Sequence, residues 1–266
     1  MKNKATIWWG TFHLEEEKPR FWEIGPLLLR IERNTNEWLI MNYSSDDTET
    51  HKINVGLEKL AQFPKETLTP KRFIHHKTHS NITLTPVLAD RSQVSHTETP
   101  FYVSPNEHIT VYVSSPIWVR IETGSPKLVL IDIPSLRQSD TWHGPNTQEG
   151  ELCYASRTFC RTNLEELPAR SNRVISPIII HNTAKQPLLI EQLSLPLPYL
   201  SIYADPNGNL WTEDIIVRHE SNDKHSIKHG RGAPSIAPEA ALITPPRQQF
   251  KTQNLVTMFY RLLLAE

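Results

Sequence analysis

His108-Ile109-Thr110-Val111-Tyr112-Val113-Ser114, then Pro116, then Ile117-Trp118-Val119-Arg120-Ile121-Glu122: this stretch decides the fold class. Apolar residues recur at every second position in both runs. Ile109, Val111 and Val113 share one face of the first, and Ile117, Val119 and Ile121 share one face of the second. A period of two belongs to a half-buried strand and not to a helix. Pro116 separates the runs. Gly124-Ser125-Pro126 then turns the chain into Leu128 to Ile133, a mostly apolar run expected at the centre of a sheet.

The same pattern extends outward in both directions. Upstream, Leu27 to Arg33 and Glu37 to Tyr43 flank the polar triplet Asn34-Thr35-Asn36, the layout of a hairpin. Gly56 to Ala61 reads as one helical turn before Pro64. Ile82 to Thr85 reads as a short strand stopped by Pro86, and Phe101 to Val103 as another before a turn at Ser104 to Glu107. Downstream, Leu152 to Cys160, Val174 to His181 and Leu188 to Leu195 read as extended. Leu200 to Ala204 and Leu210 to Val217 flank Asp205-Pro206-Asn207-Gly208-Asn209, whose Asn-Gly is a strong hairpin signal. Only the C-terminal stretch has a helical period: Leu255, Met258, Phe259, Leu262 and Leu263 form one apolar stripe. The expected architecture is all-β. An N-terminal β-hairpin module and linker occupies residues 1–68, and an antiparallel, sandwich-like region with a short C-terminal helix occupies 69–266.

Composition agrees with short elements. Prolines number 21 against nine glycines, and proline interrupts both helix interiors and ladders. With 38% hydrophobic and 21% charged residues the chain can bury a core and is not of the disordered class. A formal net charge of −1 excludes nucleic-acid binding driven by bulk electrostatics. No apolar run approaches the ~18 residues of a membrane span, and the stretch around Trp8, Trp9 and Gly10 does not read as a secretory leader. Cys153 and Cys160 on one strand would face opposite ways, which leaves both thiols free. Two such cysteines point to a reducing cytoplasm.

The segment richest in chemistry runs from Ser135 to Glu151 and reads as a loop between strands. Asp140, His143 and Glu149 could supply a carboxylate–imidazole pair or metal ligands, with Ser139 or Ser156 as a nucleophile beside such a base. No Gly-x-Ser-x-Gly elbow and no His-Glu-x-x-His helix accompanies them. The plainer reading is a structural loop in which Trp142 plugs the sandwich and Asp140 caps a turn. Arg157, Arg161, Arg137, Arg170 and Arg173 could gather into an anion pocket, or pair with Glu165 and Glu166. His75 and His79 could chelate zinc only on a helix. On a strand they lie ~13 Å apart, so these histidines and His219, His225 and His229 read as solvated. No metal and no cofactor is expected.

Several longer strings carry a family resemblance. They are Pro116-Ile117-Trp118-Val119-Arg120, Ser139-Asp140-Thr141-Trp142-His143-Gly144-Pro145 and Glu149-Gly150-Glu151-Leu152-Cys153-Tyr154-Ala155-Ser156-Arg157-Thr158. Leu195-Pro196-Leu197-Pro198-Tyr199-Leu200-Ser201-Ile202-Tyr203-Ala204-Asp205 and Leu210-Trp211-Thr212-Glu213 extend them. Together they resemble the prokaryotic family called domain of unknown function 432, most clearly from about Pro100 to Val217. The resemblance implies a β-rich protein and supplies no catalytic residue. Some members neighbour mechanosensitive channel genes, which implies a membrane-protein partner.

The expected function is a non-catalytic binding or accessory protein in the cytoplasm, acting on another protein. Its recognition surface is expected at Asp140, Trp142, His143, Glu149 and Arg157. The alternatives are a hydrolase using the loop from Ser139 to Glu151, or a sugar- or anion-binding module using Trp142 with Arg157.

Overall fold

A computed structural model describes residues 7–45, 47, 49–58, 69–144, 150–167, 170, 172–221 and 224–249. In chain order the first strands are β1 (Gly10–His13), β2 (Arg20–Ile24), β3 (Leu27–Arg33), β4 (Glu37–Ser44), β5 (Ile53–Gly56), β6 (Lys71–Ile74) and β7 (Asn81–Val87). Next come β8 (Gln93–Val103), β9 (His108–Pro116), β10 (Trp118–Thr123), β11 (Leu128–Pro134), β12 (Ser139–His143) and β13 (Glu151–Ala155). The last are β14 (Arg173–Asn182), β15 (Leu188–Leu195), β16 (Ile202–Ala204), β17 (Leu210–Trp211), β18 (Ile215–Ser221), β19 (Lys224–His229) and β20 (Ala241–Thr244). Helix among the described residues is confined to the short turns Leu164–Glu166 and Leu197–Tyr199. No described helix is long and apolar enough to cross a membrane.

The chain forms two compact units. One comprises residues 1–87, 116–137 and 170–172, and the other comprises 88–115, 138–169 and 173–266. In the first, a five-stranded antiparallel sheet runs β5-β2-β3-β4-β6 and a four-stranded one runs β1-β7-β10-β11. The expected hairpin is present, with β3 pairing β4 from Leu27↔Ser44 to Arg33↔Trp38. Alternation puts Trp22, Leu27, Leu29, Ile31, Trp38 and Ile40 on one face, and all are buried. Phe12 of β1 meets Trp22 of β2 edge to face at 5.3 Å, which brings the two sheets of this unit together.

In the second unit one sheet runs β12-β13-β8-β15. The other runs β19-β18-β14-β17-β16-β20, with β9 also on β14. Antiparallel pairing dominates, but β14 runs parallel to β17 and β18, and β13 runs parallel to β8. Pro177 lies in β14 between its pairing with β17, which ends at Ile175, and its pairing with β18, which starts at Ile178. The residue without an N–H thus stands where the strand changes neighbours. The Asp205 to Asn209 hairpin forms as expected, with Gly208 at φ 84° and Tyr203 opposite Trp211.

Four local expectations are corrected. Leu128 to Ile133 is not central: β11 is an edge strand with Leu128 and Val129 exposed. Pro86 does not stop β7, which runs on to Val87 with Pro86 opposite Val119 of β10. Gly56 ends strand β5 instead of starting a helical turn, and residues 59–68 lie outside the described residues. Ser135 to Glu151 is not one long loop, since β12 (Ser139–His143) lies within it and β13 begins at Glu151. The C-terminal helix at Leu255 to Leu263 also lies outside the described residues.

Candidate functional site

The segment rich in titratable groups is a hairpin. β12 pairs β13 antiparallel without interruption: Ser139↔Ala155, Asp140↔Tyr154, Thr141↔Cys153, Trp142↔Leu152 and His143↔Glu151. Because successive side chains alternate, Asp140, Trp142, Leu152 and Tyr154 share one face, while Thr141, His143 and Cys153 share the other. Burial follows that division. Trp142 is 48% exposed and Leu152 45%, whereas His143 is 3% and Cys153 0% exposed. β12 is also the edge of its sheet.

The exposed face has a polar rim supplied by the approach to β8. Tyr154 donates its phenolic O–H to Asp90 Oδ1 at 2.8 Å. Arg91 Nη1 donates to Asp140 Oδ1 at 3.1 Å, and its guanidinium lies over the Tyr154 ring, 5.4 Å from the centroid. Burial, followed by the hydrogen bond to Asp90, pushes the Tyr154 hydroxyl up to about 12. Tyr154 therefore stays a neutral donor through the physiological range. Gly150 seats the indole: a Cβ there would lie 2.2 Å from Trp142 Nε1, 2.5 Å from Cε2 and 2.8 Å from Cζ2. Only a glycine admits the ring this close to the backbone.

The five expected site residues do not converge. Asp140 and Trp142 stand together on the exposed face. His143 is buried on the other face, because a separation of three along a strand reverses the side chain. Arg157 is exposed beyond Ala155, the end of β13 away from Trp142 and Leu152. Glu149 lies outside the described residues. The rim residues Asp90 and Arg91 escaped sequence reading, since they come from a different stretch of chain. Leu152 and Tyr154 could have been found from their alternation opposite Asp140 and Trp142.

The geometry bears on the rival chemistries as well. The Asp140 carboxylate is paired with Arg91 and faces away from His143, so these two do not form an acid–base pair. Ser139 shares the His143 face but lies four residues away, ~13 Å along a strand. Ser156 Oγ is engaged with Thr158. The arginines are also dispersed. Arg161 pairs with Glu98 and Glu166, Arg170 with Glu49, and buried Arg173 donates to Ser114 Oγ at 2.7 Å and Thr158 Oγ1 at 3.0 Å. Residues 75–80 form no helix, so His75 and His79 lack chelating spacing. Among the described residues no group of three or more His, Cys, Asp or Glu could hold a metal ion. What the hairpin offers is an aromatic and aliphatic surface with a charged rim on a sheet edge.

Comparison with known proteins places the chain in one family. Residues 8–263 match the family described as "Protein of unknown function (DUF432)", and the chain belongs to that family. No curated protein and no solved structure matches it.

Proposed function

We propose that this member of the DUF432 family is a non-catalytic binding protein that recognises a partner protein through the exposed face of the β12–β13 hairpin. One observation carries the reading. Trp142, an aromatic side chain rich in binding energy, stands half-exposed on Gly150 beside exposed Leu152, on an edge strand. Tryptophan and arginine are the side chains most enriched at binding hot spots, and an apolar centre within a polar rim is the usual anatomy of an interface. Asp140, Arg91, Asp90 and Tyr154 make such a rim, its charges paired within the chain and therefore suited to orientation more than to raw affinity. Two unbridged cysteines, Cys153 and Cys160, support a reducing, cytoplasmic setting for the encounter.

The family resemblance supplies the first partner to test, a mechanosensitive channel. Binding of the full chain to such a channel in lipid nanodiscs is measured with wild type, Trp142→Ala and Leu152→Asp. The expected result is a loss of tenfold or more in affinity for each variant, ~1.4 kcal/mol or more. Equal binding by all three removes the hairpin face from the interaction. Hydrolysis of a generic ester, phosphoester or glycoside that disappears in His143→Ala would replace this reading with an enzymatic one.

A further inference from the structure

One end of the seven-stranded sheet carries a cationic cluster that neither the hairpin face nor the core uses. Alternation along β14 turns Ile178, Ile180 and Asn182 into the core and leaves His181 half-buried on the opposite face. β18 runs parallel beside it with Arg218 opposite His181, and Arg218 is exposed while Val217 and His219 are buried. β9 also pairs β14. The Asn106 N–H donates to the Asn182 carbonyl at 2.8 Å and the Asn182 N–H to the Glu107 carbonyl at 2.9 Å, which brings exposed His108 beside His181. The two imidazoles stack, with centroids 5.3 Å apart and planes 22° from parallel. One strand further out, exposed Lys228 of β19 stands opposite Ile216, on the same face as Arg218.

The groups that bear on His181 are all positive when protonated. Burial, then the charges of His108 and Arg218, hold its imidazole below the ordinary histidine pKa. The flanking acids are Glu107, exposed in the turn before β9, and exposed Glu220 beyond Arg218; neither is among the charges acting on His181. Among the described residues no ion pair joins His108, His181, Arg218 or Lys228 to a carboxylate. Such a cluster repels itself as the histidines gain protons, and a bound anion relieves the repulsion. A metal ion does not fit. Ring lone pairs lie in the ring planes, and nearly parallel planes do not converge on one ion. A tetrahedral phosphoryl dianion presents oxygens on several sides, so both imidazole N–H edges and the guanidinium fork donate to it at once.

We propose that His108, His181 and Arg218 form a phosphoryl-binding site across β9, β14 and β18, taking free phosphate or a small phosphate monoester. This goes beyond the partner-binding reading, uses a different sheet from the hairpin, and is tested without a partner. Because the anion favours protonated imidazoles, binding takes up protons and affinity rises as pH falls. The histidine C2 protons of the full chain are followed by NMR, assigned through His108→Gln and His181→Gln. The probes are inorganic sulfate, whose charge is constant across the histidine range, inorganic phosphate and glycerol 3-phosphate, with acetate at matched ionic strength as control. Each of the three is expected to move the His108 and His181 signals and raise both apparent pKa values. Sulfate should bind about tenfold more tightly at pH 5.5 than at pH 8. Arg218→Gln should weaken every probe about tenfold with no change in melting temperature, and Arg218→Lys should restore only part of the loss. His108→Gln should raise the His181 pKa, since a positive neighbour is lost. Tighter binding of glycerol 3-phosphate than of phosphate assigns the site to a monoester, and the reverse or equality assigns it to free phosphate. Signals that stay still with all three anions, shifts that acetate reproduces, or a sulfate affinity that does not change with pH would overturn the proposal. Should His181→Gln fail to fold, exposed His108→Gln and Arg218→Gln carry the test alone.

Discussion

Gly150→Ala tests whether the Trp142 indole is seated where the hairpin face requires. The new methyl carbon would meet three ring atoms at 2.2, 2.5 and 2.8 Å, so restoring ordinary contact at 3.4 Å moves the nearest by at least 1.2 Å. Trp142 is 48% exposed on an edge strand and can swing toward solvent. The cost is the contact of a few ring atoms with the backbone, about 0.1–0.2 kcal/mol for each atom pair. Replacing glycine stiffens the unfolded chain and returns about 0.4–1 kcal/mol. Net stability is therefore expected to change by less than ~1 kcal/mol, roughly 2–4 °C in Tm. Fluorotryptophan NMR, with the resonance assigned through Trp142→Phe, should show a large displacement of that one signal. Affinity for a partner that uses the indole should fall about tenfold, ~1.4 kcal/mol. An unmoved resonance would refute the seating of the ring on Gly150. A stability loss of ~3 kcal/mol or more, the scale of a disrupted core tryptophan, would refute the exposed platform itself.

Four further outcomes are expected. Tyr154 should ionise near 12. Because its pKa is raised on folding, its contribution to stability is complete below pH ~10 and is lost as pH rises through about 12; ultraviolet titration of Asp90→Asn should show an earlier transition. His229, whose pKa burial pushes down to about 4, contributes stability above pH ~6.5 that is lost as pH falls toward 4, and His229→Gln should flatten denaturant midpoints across that interval. Thiol titration should find Cys153 and Cys160 both free on denaturation but slow to react when folded, since both are buried and burial raises the Cys160 thiol to about 11; a mass shift on reduction would contradict this. Gly25→Ala should cost ~2–4 kcal/mol by chemical denaturation, because φ is +56° and the new Cβ would lie 2.1 Å from the buried Asn172 side chain; Gly10→Ala, with open space around it, should cost less.

The amino-acid sequence by itself determined the β class, the β3–β4 and β16–β17 hairpins, and the inward faces of β9 and β10. Each of these rests on local chemistry: alternation sets which side chains share a face, and Asn34 to Asn36 or Asn207-Gly208 sets where the chain reverses. It also singled out Asp140 and Trp142 as part of a surface worth testing. Tertiary structure alone decided what depends on distant neighbours. Leu128 to Ile133 is as apolar as a central strand, yet it is an edge because β10 offers it one side and no described strand takes the other. Pro86 sits inside β7 because its neighbour β10 places Val119 opposite it, a pairing made by a strand more than 30 residues downstream. Asp140 and His143 look adjacent in the chain but are turned apart once Ser139 to His143 is extended, and Asp140 instead meets Arg91 from 49 residues upstream. Alternation is a property of one strand, whereas edges, rims and partners are made by strands far apart in sequence, and only folding brings those together.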